Sequence, residues 1–205
     1  MPLASILACF LSLAGAQVHL GGLFGFQGST LVGDDAVDRA GERYPMQVGK
    51  AGTLSSAELG MALDFEWTNT SVRTGALYSA KGWTRQTGDV TWEQHLNYFV
   101  LPLEFHLLAF APSEPVRPYL MAGFYWASLA NAEIRSDDDP RLDRRNTKDW
   151  KPSTVGLSFG AGAQGAIHGY RVGAQMRIHR DLTVNFKDSR DTYNQAIGLD
   201  LFAGI

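Results

Sequence analysis

Between Ser56 and Trp67 the chain reads SAELGMALDFEW, with apolar residues at every second position (Ala57, Leu59, Met61, Leu63, Phe65, Trp67) and Glu58, Gly60, Ala62, Asp64 and Glu66 between them. A period of two belongs to an extended strand, whose successive side chains point to opposite faces. The alternation recurs along the chain and predicts eight strands, near residues 17–27, 56–67, 72–83, 96–107, 117–129, 154–167, 170–180 and 195–205. In the fourth, Phe99, Leu101, Leu103, Phe105 and Leu107 oppose Val100, Pro102, Glu104 and His106. In the seventh, Val172, Ala174, Met176 and Ile178 oppose Arg171, Gly173, Gln175, Arg177 and His179. The fifth carries aromatics on both parities (Tyr119 and Tyr125, Phe124 and Trp126), so its facing stays open.

Alternation alone does not say which face meets water. Strand length and loop order do. The segments run about 10–13 residues, longer than the usual 5–6 of soluble strands and close to the 9–11 needed to cross a bilayer at a tilt. Connections alternate between long (28–55, 84–95, 130–153, 181–194) and short (68–71, 108–116, 168–169), the sorting of loops onto two rims that outer-membrane barrels show. Arg73, Lys81, Arg171 and Arg177 all fall on the polar parity, and on a lipid face each would cost about 2–4 kcal/mol at mid-depth. The expectation is an all-β, eight-stranded antiparallel up-and-down transmembrane β-barrel, apolar outside and polar inside. An eight-stranded lumen is just filled by side chains, so no open pore is expected.

Composition narrows this further. A formal net charge of −3 excludes the basic stripe of a nucleic-acid binder, and mean hydropathy is −0.13. No apolar run reaches the roughly 18 residues of a spanning helix. Residues 1–16 (MPLASILACFLSLAGA) have the apolar run and small-x-small ending of a secretory signal peptide. They lack its basic start. Cleavage there leaves residues 17–205 as the barrel domain and removes Cys9, the single cysteine. Disulfides, thiolate metal sites and a cysteine nucleophile are then excluded. No cofactor or metal site is expected.

The segments VHLGGLFGFQGSTL, ALYSAKGW, NYFVLPLEFHL, RPYLMAGFYWASL and GLSFGAGAQGA, in this order and spacing, resemble the bacterial outer-membrane β-barrel domain proteins of the "porin family", small barrels of outer-membrane protein X-like architecture. The resemblance covers Val18 to Ile205. It implies an integral protein of the cell outer membrane with both termini in the periplasm and long loops outside, no shared catalytic residues and no cofactor. The partners that go with such a protein are outer-membrane lipids, lipopolysaccharide reached by the loops, and the barrel-insertion machinery. The chain is expected to be a monomer with a structural, adhesive or surface-recognition role. Two departures stand out: the chain ends FAGI rather than on an aromatic, and Pro102 sits inside a strand, where a bulge is expected.

The candidate chemistry is sparse. Glu104, His106, Arg177, His179 and Asp200 are expected as lumen polar groups, and Glu104, His106 and His179 as a hydrogen-bonded interior set rather than an acid/base site. A lipid-modifying enzyme of the outer membrane is the alternative function, but it needs a His–Ser pair on the outer face. RIHRDL supplies only an inward His179. A soluble lipocalin-like binder is the other alternative. It needs the apolar parity turned inward. The charged run 135–149 reads as a solvated loop in which Asp137, Asp138 and Asp139 lack calcium-loop spacing, while Arg141, Arg144 and Arg145 suit phosphate. Trp67 and Trp83, at strand ends, are expected in an interfacial aromatic girdle. Setting Trp67 opposite Val72 gives two lumen charge pairs, Glu66 with Arg73 and Glu58 with Lys81.

Overall fold

The computed structural model describes residues 15–32, 52–87, 90–136, 144–145, 147–183 and 193–205. The expected leader lies outside these apart from Gly15 and Ala16, as do the aspartates 137–139 and Arg141. The strands are β1 (Gln17–Val32), β2 (Gly52–Glu66), β3 (Thr70–Thr87), β4 (Val90–Leu108), β5 (Val116–Ser136), β6 (Arg144–Arg145), β7 (Ser153–Ile167), β8 (Tyr170–Asp181) and β9 (Tyr193–Gly204). All pairings are antiparallel and follow chain order, and β1 closes on β9 from Gly21↔Gly204 to Val32↔Tyr193. Among the described residues the two-residue β6 pairs only with β5. The result is a closed eight-stranded up-and-down barrel. Closure leaves no sheet edge, which is the condition for a β structure to sit in lipid.

The end carrying both termini, the near end, has short turns. The β7–β8 turn is His168-Gly169, both with positive φ (51° and 83°), as a two-residue primed hairpin turn requires. Over the barrel wall, Leu59, Met61, Leu63, Leu101, Phe159, Leu199 and Leu201 are exposed, and Phe65, Leu103 and Leu157 partly so. An apolar exterior around a charged interior rules out the lipocalin-like alternative.

Away from the near end the logic reverses within single strands. β3, β4 and β5 are 18, 19 and 21 residues long, far more than a bilayer requires. Up to Tyr78, Phe99 and Trp126 the outward side chains are apolar apart from Thr70 and Thr74, the latter bonded to the Pro102 carbonyl. Beyond them the outward positions become Thr84, Glu93, His95, Asn97, Asn131, Glu133 and Arg135. The inward ones become Trp83, Leu96, Ala132 and Ile134, all buried, with the buried polar Arg85, Gln94 and Ser136 among them. From Asn97 to Val90 this polar-walled ribbon extends about 20 Å at strand rise. A one-residue bulge marks the change: Asn97 pairs with Asn131 but Tyr98 pairs with Leu129, leaving Ala130 over.

Four expectations are corrected by this. The connection 84–95 is mostly strand, because its apolar parity faces inward and does not extend the lipid-facing pattern. Trp83 is buried and packs against Trp150 at 5.3 Å between ring centroids, so it belongs to the core and not to a girdle. The bulge falls at Ala130; at Pro102 the β3–β4 ladder is interrupted without a change of register, and the Pro102 carbonyl accepts the Thr74 hydroxyl at 2.9 Å. The β2–β3 register is two residues from the expected one: Phe65 opposes Val72, Asp64 opposes Arg73, and Glu58 opposes Ser79. A tight turn at Thr68-Asn69, with Trp67 N–H donating to the Thr70 carbonyl at 2.8 Å, sets it. A two-residue slip keeps every side chain on its face, so facing could not distinguish the two registers.

Candidate functional site

All nine lumen residues named from the sequence, Glu58, Glu66, Arg73, Lys81, Glu104, His106, Arg177, His179 and Asp200, are buried inside the barrel. The expected pairs Glu66–Arg73 and Glu58–Lys81 are not formed. Arg73 is instead held by Asp64, its Nε and one terminal nitrogen each donating to a carboxylate oxygen at 2.8 Å. Its other terminal nitrogen donates to Gln175 at 3.0 Å, and its guanidinium lies 4.6 Å above the Phe202 ring. Lys81 reaches across the lumen to Asp181 at 3.2 Å. Glu58 goes to Arg177 and Glu66 to Arg117 and Arg171.

These contacts stack in tiers. At the near end Glu66 accepts from Arg117, Arg171 and, at 3.2 Å, Gln164. Above it lie Asp64, Arg73, Gln175 and Tyr119, whose hydroxyl donates to Gln175 at 2.8 Å. At the centre Arg177 meets three carboxylates: Glu58, Glu104 at 3.0 Å and Asp200 at 3.2 Å. Next come Lys81, Asp181, Tyr125 and Asn194; the Tyr125 hydroxyl donates to Asp181. The tiers end under an apolar plug of Leu23, Leu31, Leu77, Trp83, Leu96, Tyr98, Val100, Tyr125, Ala127, Ala132 and Trp150. Glycines on β7 make the room: a Cβ on Gly156 would overlap the Tyr125 phenol, and one on Gly162 would lie 2.6 Å from the Tyr119 ring.

Taken together, the buried charges balance. Glu58, Asp64, Glu66, Glu104, Asp181 and Asp200 face Arg73, Lys81, Arg85, Arg117, Arg171 and Arg177. Locally they do not. Two arginines share one carboxylate at the near end, one arginine holds three at the centre, and the Arg85 side chain at the far end has no acceptor among the described residues. Such an interior is a charge-compensated filling, in which each ion is kept out of water only because partners surround it.

The expected hydrogen-bonded set of Glu104, His106 and His179 is not formed, because each imidazole lies against a tyrosine ring instead. His106 stacks on Tyr119 at 4.7 Å and stands 3.7 Å from Glu104. His179 leans on Tyr125 at 4.8 Å, across the strand from Ser158, and none of their side-chain nitrogens or oxygen has a hydrogen-bond partner. Both imidazoles are buried deep in the side-chain-filled lumen.

Sequence reasoning missed Arg117, Asp181, Tyr119 and Tyr125. A signal for the tyrosines was present: on β5 the phenols share one parity and Phe124 and Trp126 the other, as expected where a hydroxyl needs a partner and a bare ring does not. Also missed was an outer-wall dyad. His95 Nε2 lies 2.8 Å from Glu93 on the polar ribbon, with Glu133 directly opposite His95 on β5. Among the described residues no group of three or more His, Cys, Asp or Glu is placed to hold a metal ion.

Over residues 15–187 the chain matches a family described as "Outer membrane protein beta-barrel domain". No curated protein matches it. Among solved structures it is similar to Neisserial surface protein A (NspA), at 8% identity over 92% of this chain and 97% of that one, TM-score 0.51. It is also similar to the outer membrane protein OprG of Pseudomonas aeruginosa, at 11% identity over 91% and 93%, TM-score 0.46. The outer membrane enzyme PagL is similar at 12% identity over 86% and 97%, TM-score 0.37. At such identities the likeness is one of fold.

Proposed function

Since this chain belongs to the outer membrane protein beta-barrel domain family, we propose that it is a non-catalytic barrel of the outer membrane whose projecting β3–β5 ribbon serves surface recognition or adhesion. The termini face the periplasm, the ribbon faces the outside, and residues 1–16 are a cleaved leader. The observation supporting this reading is the reversal of polarity along β3–β5: a lipid-compatible wall gives way to a polar one built on its own apolar core, which suits a rigid platform held in water above the membrane. A lumen filled by side chains supports a barrel that is not a pore. Lipopolysaccharide phosphates, met by Arg135 and Arg145 on the ribbon side, are the expected membrane partner, and the barrel acts as a monomer inserted by the assembly machinery.

The leaderless chain is free of cysteine, so single cysteines test orientation. Glu133→Cys should react with a membrane-impermeant maleimide on intact cells and Glu114→Cys only after permeabilisation; the opposite pattern overturns the reading. Replacing residues 84–95 by a short turn should abolish adhesion of expressing cells to ligand-coated surfaces while leaving the barrel inserted.

One observation favours a second reading, the lipid-modifying enzyme. His95 with Glu93 stands on the outer wall just beyond the apolar band. Its weakness is the nucleophile: the outward Ser128 lies opposite Phe99, four residues along the ladder from His95, about 13 Å at strand rise. Unchanged lipid mass spectra on expression, and on His95→Ala, exclude this reading.

A further inference from the structure

At the near end a cavity of about 160 Å³ opens within the barrel rim, lined among others by His19, Glu66, Arg117, Gln164 and Arg171. We propose that it binds one small oxyanion of the phosphate or carboxylate class, with Arg171 and Arg117 as the ligands.

Both arginines are more than nine-tenths buried, as is Gln164. They share a single carboxylate. One oxygen of Glu66 meets Arg117, and the other meets Arg171 and Gln164. After those contacts Arg117 Nε and Arg171 Nη1 have no acceptor. The nearest deeper carboxylate, Asp64, is taken up by both forks of Arg73. The tier therefore holds one positive charge in excess, on two planar guanidiniums: the second terminal nitrogen of Arg117 is taken by the Thr68 and Phe110 carbonyls, and Arg117 Nε and Arg171 Nη1 stay unpaired just beneath the cavity wall. That combination is the usual recognition element for a carboxylate or phosphate. The rim acid Glu114 also lines the cavity but is exposed, so water screens it. A void of this size holds a benzene-sized molecule, ample for a tetrahedral or planar anion and too small for a long chain. All five named lining residues sit on the inward parity, so the anion arrives from the aqueous mouth.

The test is calorimetric titration of inorganic phosphate, and separately acetate, into the full barrel in dodecyl maltoside, whose headgroup has no phosphate. Saturable one-to-one binding is expected. Arg171→Gln should weaken it about tenfold or more, the loss of one charge-assisted hydrogen bond. Glu66→Gln should tighten it, because the internal competitor is removed. Arg180→Gln, exposed on the outer side of β8, should leave it unchanged. Heat-modifiable gel mobility reports folding of each variant, and Arg171→Lys keeps the charge while losing the fork if Arg171→Gln fails to fold. The proposal is overturned if neither the parent nor Glu66→Gln binds phosphate, if Arg171→Gln and Arg171→Lys both bind as the parent does, or if Arg180→Gln weakens binding equally. Repeating the titration in nanodiscs with and without phosphatidylglycerol separates the sources: a loss of apparent affinity only with the anionic lipid identifies its headgroup as the occupant, and no change identifies a soluble anion.

Discussion

Arg177 is the position where the interior is most exposed to a single change. Its guanidinium is the shared partner of Glu58, Glu104 and Asp200, with Glu104 wholly buried. Arg177→Met preserves much of the stem volume and removes only the charge and its donors. Removing one partner of a buried ion pair costs about 3–5 kcal/mol, because the remaining charge is left in a poor solvent. Here three carboxylates lose their common partner and also repel one another, so the upper end of that range is expected. Against a typical total of about 5–15 kcal/mol, Arg177→Met should fold poorly or not at all. The rescue is specific. Adding Glu58→Gln and Glu104→Gln removes two of the three stranded charges, and the triple variant should recover at least half of the loss, with strong non-additivity. Equilibrium urea unfolding in detergent micelles, followed by the fluorescence of the buried Trp83 and Trp150 and by heat-modifiable gel mobility, measures this. A loss under about 1 kcal/mol for Arg177→Met, the level of an exposed ion pair, would refute the argument. So would a triple variant no better than the single one.

Other outcomes follow from the same geometry. Phe99→Arg, on the apolar wall, should destabilise the folded barrel in lipid by about 2–4 kcal/mol, whereas Asn97→Arg, two residues further on the polar ribbon, should cost about 0–1 kcal/mol; equal effects would place the membrane boundary elsewhere. Gly156→Ala should cost about 1–3 kcal/mol by overpacking against Tyr125, measured by urea unfolding, and Tyr125→Leu in the same chain should relieve part of it. Planar-bilayer recordings should show no steady conductance for the parent barrel. Trp83→Ala should lower stability by about 3–5 kcal/mol through cavity formation, read by the same unfolding assay.

The period-two pattern determined a good deal by itself. Strand existence, the facing of β2, β3, β4, β7, β8 and β9, and the choice of an apolar exterior were all legible, because lipid accepts no charge and Arg73, Lys81, Arg171 and Arg177 share the polar parity; the outward Arg180 sits next to the far end of β8. The same reasoning placed Glu58, Glu104, Arg177 and Asp200 in the lumen. Pairing was not legible. Parity is blind to a shift of two, so the partner of Arg73 was decided by the turn at Thr68-Asn69 and by which carboxylate lies directly across the sheet. Nor could alternation show that Lys81 meets Asp181, 100 residues away, since only closure brings β3 to face β8 across the lumen. The far half of β3–β5 was misread for a related reason. A strand that leaves the membrane keeps its period of two while the solvent on its outer face changes from lipid to water, so the same alternation carries opposite meanings on either side of Asn97. Only the closed barrel, with Trp83 and Trp150 packed inside and Glu93 and His95 outside, showed where that change occurs.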